Sequence, residues 1–198
     1  MWYNIGKIFL WPWFIFFMRL DIKGRENVPK NGGFILVSNH VSNLDPIVLG
    51  LACPGRLNFM AKEELFSNPF FGWILRLVNC FPLRRKGAAL AAIREAISRV
   101  NRGGGLLIFP EGTRSADGKL GSGQEGVGFL AGKLNVPVIP AFVKGSLEAM
   151  PKGAVFIRPV RISVRFGKQI QLERRVAYSD VAVTVMQAIK QLSCCESN

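Results

Sequence analysis

Apolar runs of strand length alternate along this chain with segments whose apolar residues recur every three or four positions. Phe34-Ile35-Leu36-Val37 and Leu106-Leu107-Ile108-Phe109 are continuous enough to be buried strands. Val160, Ile162, Val164 and Phe166 alternate with Arg161, Ser163 and Arg165, the period of a half-buried strand. Val136 to Val143 is also apolar, but Pro137 and Pro140 predict an edge or bent position for it, because proline cannot donate to a ladder. Asn58-Phe59-Met60-Ala61 is a shorter apolar piece leading into Lys62-Glu63-Glu64-Leu65. Leu90, Ile93, Ile97 and Val100 predict an amphipathic helix over 88–100, stopped by Gly103-Gly104-Gly105. Ser179-Asp180 opens a C-terminal helix carrying Val181, Val185, Ala188 and Leu192. There is no internal repeat or low-complexity linker. The alternation predicts a single α/β domain with a central mixed sheet flanked by helices.

Two aromatic stretches stand apart from that pattern. The 11 residues from Ile8 to Met18 are almost wholly apolar. As a helix they reach roughly 16 Å, about half of a ~30 Å hydrocarbon core. Trp11 and Trp13 are of the type that prefers the headgroup level, and no small-residue cleavage site follows Met18. Residues 1–20 therefore read as a helical anchor at the membrane interface and 21–198 as the domain proper. A true span and an N-terminal core helix are the alternatives. The second stretch, Leu65 to Val78, begins a short helix at Ser67-Asn68-Pro69. Its aromatic density suits an acyl chain, a bilayer or the core.

Charge sharpens the picture. The chain of 198 residues has 26 Lys and Arg against 13 Asp and Glu, a net charge of +13, with 49% hydrophobic residues. The hydrophobicity excludes disorder, and the charge predicts an anionic partner. Together they favour a phospholipid membrane over nucleic acid, whose zinc-finger, leucine-zipper and RNP patterns are missing. Cys53, Cys80, Cys194 and Cys195 show neither CxxC spacing nor a disulfide framework, which fits a reducing cytoplasmic setting. Cys195 is followed by Glu196-Ser197-Asn198, which lacks the aliphatic residues of a prenylation box.

Candidate chemistry centres on the single histidine. His40 lies in Ser38-Asn39-His40-Val41-Ser42-Asn43-Leu44-Asp45-Pro46. Histidine can accept and return a proton near neutral pH. Asp45-Pro46 reads as a helix start with the aspartate as N-cap. On one continuous helix, residues five apart differ by about 140° and do not meet. A loop between strand and helix lets Asp45 fold back towards His40. One histidine and scattered cysteines offer no metal cluster, and no Gly-x-Ser-x-Gly elbow is present. A second candidate follows the strand at 106–109. There Gly112 allows a tight path after Glu111, and Thr113, Arg114 and Ser115 come next. Arginine forms planar, two-pronged bonds to phosphate oxygens.

Four blocks in order, spanning about Gly24 to Gly167, resemble the 1-acylglycerol-3-phosphate O-acyltransferase family of glycerolipid acyltransferases. They are Asn39-His40 through Asp45-Pro46, Phe59 through Phe66, Ile108-Phe109-Pro110-Glu111-Gly112-Thr113-Arg114-Ser115, and Val136-Pro137-Val138-Ile139-Pro140. The resemblance implies transfer of a fatty acyl group from a thioester of coenzyme A or acyl carrier protein to the sn-2 hydroxyl of lysophosphatidate, giving phosphatidate. It implies His40 as base and Asp45 as its orienting carboxylate. Glu111, Gly112, Thr113 and Arg114 would bind the acceptor's phosphate, and Lys62 lies in a block tied to substrate binding. No cofactor or metal is implied, and the setting would be the cytoplasmic face of a cell membrane, peripheral or monotopic.

Two positions depart from the family. Phe81-Pro82-Leu83-Arg84-Arg85 has arginine where an acidic residue usually precedes the arginine, and Gln124-Glu125 stands where basic residues normally precede the glycine matched by Gly126. Arg84 could supply replacement charge. Three rivals remain at this level: an enzyme of the same type acting on a lysophospholipid or glycerol 3-phosphate, a thioesterase with the same dyad, and a non-catalytic basic membrane-binding protein.

Overall fold

The computed structural model describes residues 11–83, 89–172 and 176–194. The first half of the expected anchor, Ala88, the Arg84–Arg85 departure and Cys195 lie outside the described residues. Seven strands form one sheet in the order β1-β7-β6-β2-β5-β3-β4. They are β1 (Asp21–Lys23), β2 (Phe34–Ser38), β3 (Leu57–Lys62), β4 (Cys80–Leu83), β5 (Gly105–Ile108), β6 (Val138–Lys144) and β7 (Ser163–Phe166). Every pair is parallel except β6 with β7, so the sheet is mixed.

The continuous apolar runs have a physical cause in this topology. Strand β2 is fourth of seven and all five of its residues are buried. Phe34 and Leu36 enter the core on one face of the sheet, while Ile35 and Val37 enter the core on the other. A parallel strand covered on both faces needs no polar alternation.

Helices supply the covers. The helical residues 11–18 (α1) share the first core with α2 (Asp45–Ala52), and Leu75 and Val78 pack against it from α3 (Pro69–Leu77) and its end. On the second face lie α4 (Ala89–Asn101), α5 (Glu125–Leu134) and α7 (Tyr178–Cys194), which contribute Ala96, Leu130 and Val185 among others. A single turn, α6 (Ser146–Ala149), follows β6. Asn68 caps α3 as its sequence predicts, its Oδ1 accepting from Phe71 N–H at 3.1 Å.

One expectation needs correction. The prolines do not drive Val136–Val143 to an edge: β6 is interior, paired with β2 and β7. Between the Ala141–Phe166 pair and the Val138–Ile170 bridge, two residues of β6 face three of the opposite strand. This bulge receives Pro140, whose carbonyl accepts from Gly167 N–H at 2.8 Å. The ring nitrogen points to the same side, where the ladder is already open. In α1, the described part of the expected anchor, Phe14 and Met18 are buried in the first core. Trp11 is half-buried against the same core, while Trp13, Phe16 and Phe17 face outward. No helix among the described residues is long and apolar enough to cross a membrane.

The buried thiol Cys80 carries its own prediction. Burial pushes its pKa from 9.0 up to about 11, against the smaller opposing effect of the Arg99 charge. The folded chain therefore holds this proton where the unfolded chain has already lost it. Stability should fall as pH rises from about 9 to about 11, by ~2 kcal/mol. Urea unfolding across that range should show the loss in the native chain, and a smaller loss in Cys80→Ala. At neutral pH the group is a thiol and no nucleophile.

Candidate active site

The strand ends decide where chemistry can gather. β2, β5, β3 and β4 run parallel, so their C-terminal ends open on one edge of the sheet. His40 leaves β2 there, the Phe109–Ser115 loop leaves β5, and Lys62 closes β3. In open α/β sheets the ligand crevice forms outside these carboxyl ends.

The loop after β2 is held before its functional residue is reached. Asn39 is buried, and its side chain imitates a strand residue: Oδ1 accepts from Val143 N–H at 2.8 Å and Nδ2 donates to Val143 O at 2.9 Å. This pins the exit of β2 to β6. His40 then stacks on Phe109, with ring centroids 3.9 Å apart and planes 12° from parallel. Its main chain is gripped by the β5 loop. His40 N–H donates to Glu111 Oε1 at 3.3 Å, and His40 O accepts from Ser115 N–H at 2.8 Å.

Asp45 meets His40 as the loop geometry requires. Oδ2 lies 2.9 Å from His40 Nδ1 and accepts from the amides of Val41 and Ser42, each at 2.7 Å. Oδ1 accepts from Ser146 Oγ at 2.5 Å. The carboxylate is wholly buried, and a buried charge without donors is prohibitively costly. Here donors reach both oxygens. Because Oδ2 acts as an acceptor, the proton of the neutral ring sits on Nδ1 and the lone pair on Nε2. The histidine side chain keeps 18% exposure, so the ring is reachable from solvent.

The expected capping role of Asp45 is not what the structure contains. Leu44 is the N-cap of α2, and Asp45 is already helical with Pro46 beside it. Its side chain turns back to loop amides that precede the helix, rather than to amides inside it. The same loop conformation that presents His40 is therefore closed by Asp45.

Ser146 carries no signal in the sequence, being 101 positions from Asp45. It reaches the site through Gly145, which has φ +87° and where a Cβ would lie 2.1 Å from Arg161 O. Only glycine permits that turn between β6 and α6. Ser42 is a further contributor unseen in sequence: Oγ donates to Met150 O at 2.7 Å and accepts from Leu44 N–H at 3.2 Å. Phe109 belonged to a recognised block, but its stacking partner could not be read from one dimension.

The β5 loop divides into an inward and an outward part. Glu111 is buried, and its second oxygen accepts from Gly121 N–H at 3.0 Å. Both of its oxygens are engaged by backbone amides, and a carboxylate repels phosphate. Its role in this geometry is to brace the loop. Gly112 has φ +69° and donates its N–H to Phe109 O at 3.0 Å, forming the turn. Thr113 is exposed and Arg114 half-buried. Among the described residues Arg114 has no hydrogen bond or ion pair, leaving its guanidinium uncommitted. Lys62 is exposed, equally without a partner among them. Among the described residues no group of three or more His, Cys, Asp or Glu side chains is placed to hold a metal ion.

The His40–Asp45 pair, Arg114 on the adjoining loop and the carboxyl ends of the parallel strands define the geometry, and known proteins are similar to this chain in sequence and fold. Residues 19–144 match the Acyltransferase family. A crystal structure of the 1-acyl-sn-glycerophosphate (LPA) acyltransferase PlsC from Thermotoga maritima superimposes with a TM-score of 0.73 and 31% identity, covering 88% of this chain and 72% of that one. The chloroplastic 1-acyl-sn-glycerol-3-phosphate acyltransferase of Brassica napus is 35% identical over 141 residues, 70% of this chain and 41% of that protein. The 1-acyl-sn-glycerol-3-phosphate acyltransferase of Bacillus subtilis is 32% identical over 128 residues, 64% of this chain and 63% of that protein. This chain thus spans from about two fifths to just under two thirds of the length of these two relatives. The chain belongs to the acyltransferase family.

Proposed function

We propose that this protein transfers a fatty acyl group from a thioester of coenzyme A or acyl carrier protein to the sn-2 hydroxyl of lysophosphatidate, yielding phosphatidate. The observation that carries this reading is the 2.9 Å contact between His40 Nδ1 and a buried, fully satisfied Asp45. Relatives named for 1-acyl-sn-glycerol-3-phosphate support the acceptor. Nε2 of His40 takes the hydroxyl proton as that oxygen bonds to the thioester carbonyl carbon. Asp45 fixes the tautomer and stabilises the imidazolium as it forms. The tetrahedral intermediate then expels the thiolate, breaking the C–S bond, and His40 returns the proton to sulfur. No acyl-enzyme, cofactor or metal takes part.

The acceptor's phosphate would lie against Arg114, with Thr113 and Lys62 as further donors, while Gly112 shapes the turn that presents them. Glu111 acts through the loop it braces. The work would be done at the cytoplasmic face of a cell membrane, as a peripheral or monotopic protein, which suits a lipid acceptor and a charge of +13.

One incubation tests the reading: purified protein with both donor types and lysophosphatidate, followed by lipid product analysis. Phosphatidate formation is expected. Thiol release that ignores the acceptor would make the protein a thioesterase. Arg114→Ala should raise KM for phosphorylated acceptors by about tenfold or more, since a charge-assisted bond contributes roughly 1.5–3 kcal/mol. Turnover at saturation should change little, and a neutral monoacylglycerol should be used as before.

A further inference from the structure

The outward-facing apolar residues are distributed unevenly over the molecule. Among the described residues, fifteen large apolar side chains are exposed. Only Leu90, Tyr178 and Val183 belong to the layer formed by α4, α5 and α7. The other twelve come from α1, α2, α3, the turn before α3 and the 150–160 loop, whose buried or half-buried apolar residues pack in the opposite layer. Burial elsewhere does not demand this, because each layer already has a closed core.

Those twelve fall mainly into two groups. Trp13, Phe16 and Phe17 project from α1, whose end joins the β1 edge: Met18 O accepts from Ile162 N–H, and β1 starts three residues later. Leu65, Phe70 and Trp73 project from α3 and the turn before it, packed beside β4 at the other edge. Phe70 is 70% exposed and Trp73 55%, with their rings stacked at 6.3 Å. Seven strands at about 4.8 Å place the two edges roughly 29 Å apart. The loop bearing His40 follows β2, the middle strand.

We infer that α3 is a second membrane foot, so that α1 and α3 straddle the dyad and set it at the surface of an anionic phospholipid bilayer. Tryptophan and phenylalanine are the residues that occupy this depth. Charge complements the bilayer on the α1 side. Residues 11–25 and 150–161 carry Arg19, Lys23, Arg25, Lys152, Arg158 and Arg161 against one acid, Asp21. Near α3 the cations Lys62 and Arg76 are offset by Glu63 and Glu64, so that foot holds by apolar insertion. The inference rests on the lipid-acylating reading and adds that one N-terminal segment is not the whole attachment.

The test uses the full chain with vesicles of mixed phosphatidylcholine and phosphatidylglycerol. Phe70→Ser with Trp73→Ser should lower partitioning in co-sedimentation by about a hundredfold or more, the scale expected for withdrawing two aromatic side chains from an apolar phase. In a chain with Trp2, Trp11 and Trp13 changed to phenylalanine, Trp73 fluorescence should be quenched by brominated acyl chains. Turnover of water-soluble short-chain substrates should be unchanged in the double variant. Wild-type partitioning by the variant, or an unquenched Trp73, overturns the inference. Loss of short-chain turnover would make α3 part of the substrate groove, and dissociation of a dimer in sedimentation velocity would make it a contact between copies. Both outcomes also overturn it. Absence of acyl transfer by the wild type would defeat the catalytic reading and leave the vesicle readout interpretable.

Discussion

Replacing His40 with alanine should reduce kcat/KM for acyl transfer by about 10³-fold or more, while circular dichroism stays that of the native chain. The expectation rests on the division of labour around the ring. What holds the loop is Asn39 on Val143, Ser42 on Met150, and Asp45 on the Val41 and Ser42 amides. None of these bonds uses the imidazole. Alanine removes the proton acceptor and the stacking on Phe109, and leaves the scaffold in place. Substantial residual turnover in the purified variant would refute the general-base role. Steady-state rates with both donor types and a thermal melt measure the two sides of the claim.

Asp45 should give two different results depending on the substitution. In Asp45→Asn the side-chain oxygen can still accept from His40 and the two loop amides, and the new NH₂ can donate to Ser146 Oγ. The fold should persist, but the negative partner of the imidazolium is gone. Turnover should drop by about 10²- to 10⁴-fold with KM little changed. Asp45→Ala leaves the buried donors of Val41, Ser42 and Ser146 without this acceptor. Each unsatisfied buried group costs about 1–3 kcal/mol, a sum comparable to the whole stability of a small domain. That variant should unfold at much lower urea or fail to accumulate. Equal stability of the two variants would show that the carboxylate does not close the loop.

The apparent conflict over Glu111 has a physical resolution. The resemblance assigns the whole Glu111–Arg114 block to the acceptor's phosphate, but the glutamate's oxygens receive His40 N–H and Gly121 N–H. Bracing by Glu111 and the proposed binding by Arg114 fall within four consecutive positions. Sequence cannot separate them, because facing inward or outward at a turn depends on what packs behind it.

Much of the architecture was legible in one dimension. Continuous runs such as Phe34–Val37 mark strands covered on both faces, and the spacing of Leu90, Ile93, Ile97 and Val100 marks a helix with one buried side. The His40–Asp45 spacing required a strand–loop–helix path, and local chain geometry alone delivered that pairing. What lay beyond reach involved distant partners. Val143 on β6, Ser146 just after β6 and Phe109 just after β5 reach Asn39, Asp45 and His40 because β5 and β6 neighbour β2 only once the sheet is assembled. Pro137 and Pro140 argued for an edge or a bent position because proline lacks a donor; the strand is interior, and a bulge in the pairing with 166–170 removes the need for a donor at Pro140. Local patterns follow from the chain's own periodicity and stereochemistry. Side-chain partners a hundred residues away follow from strand order, which long-range packing sets.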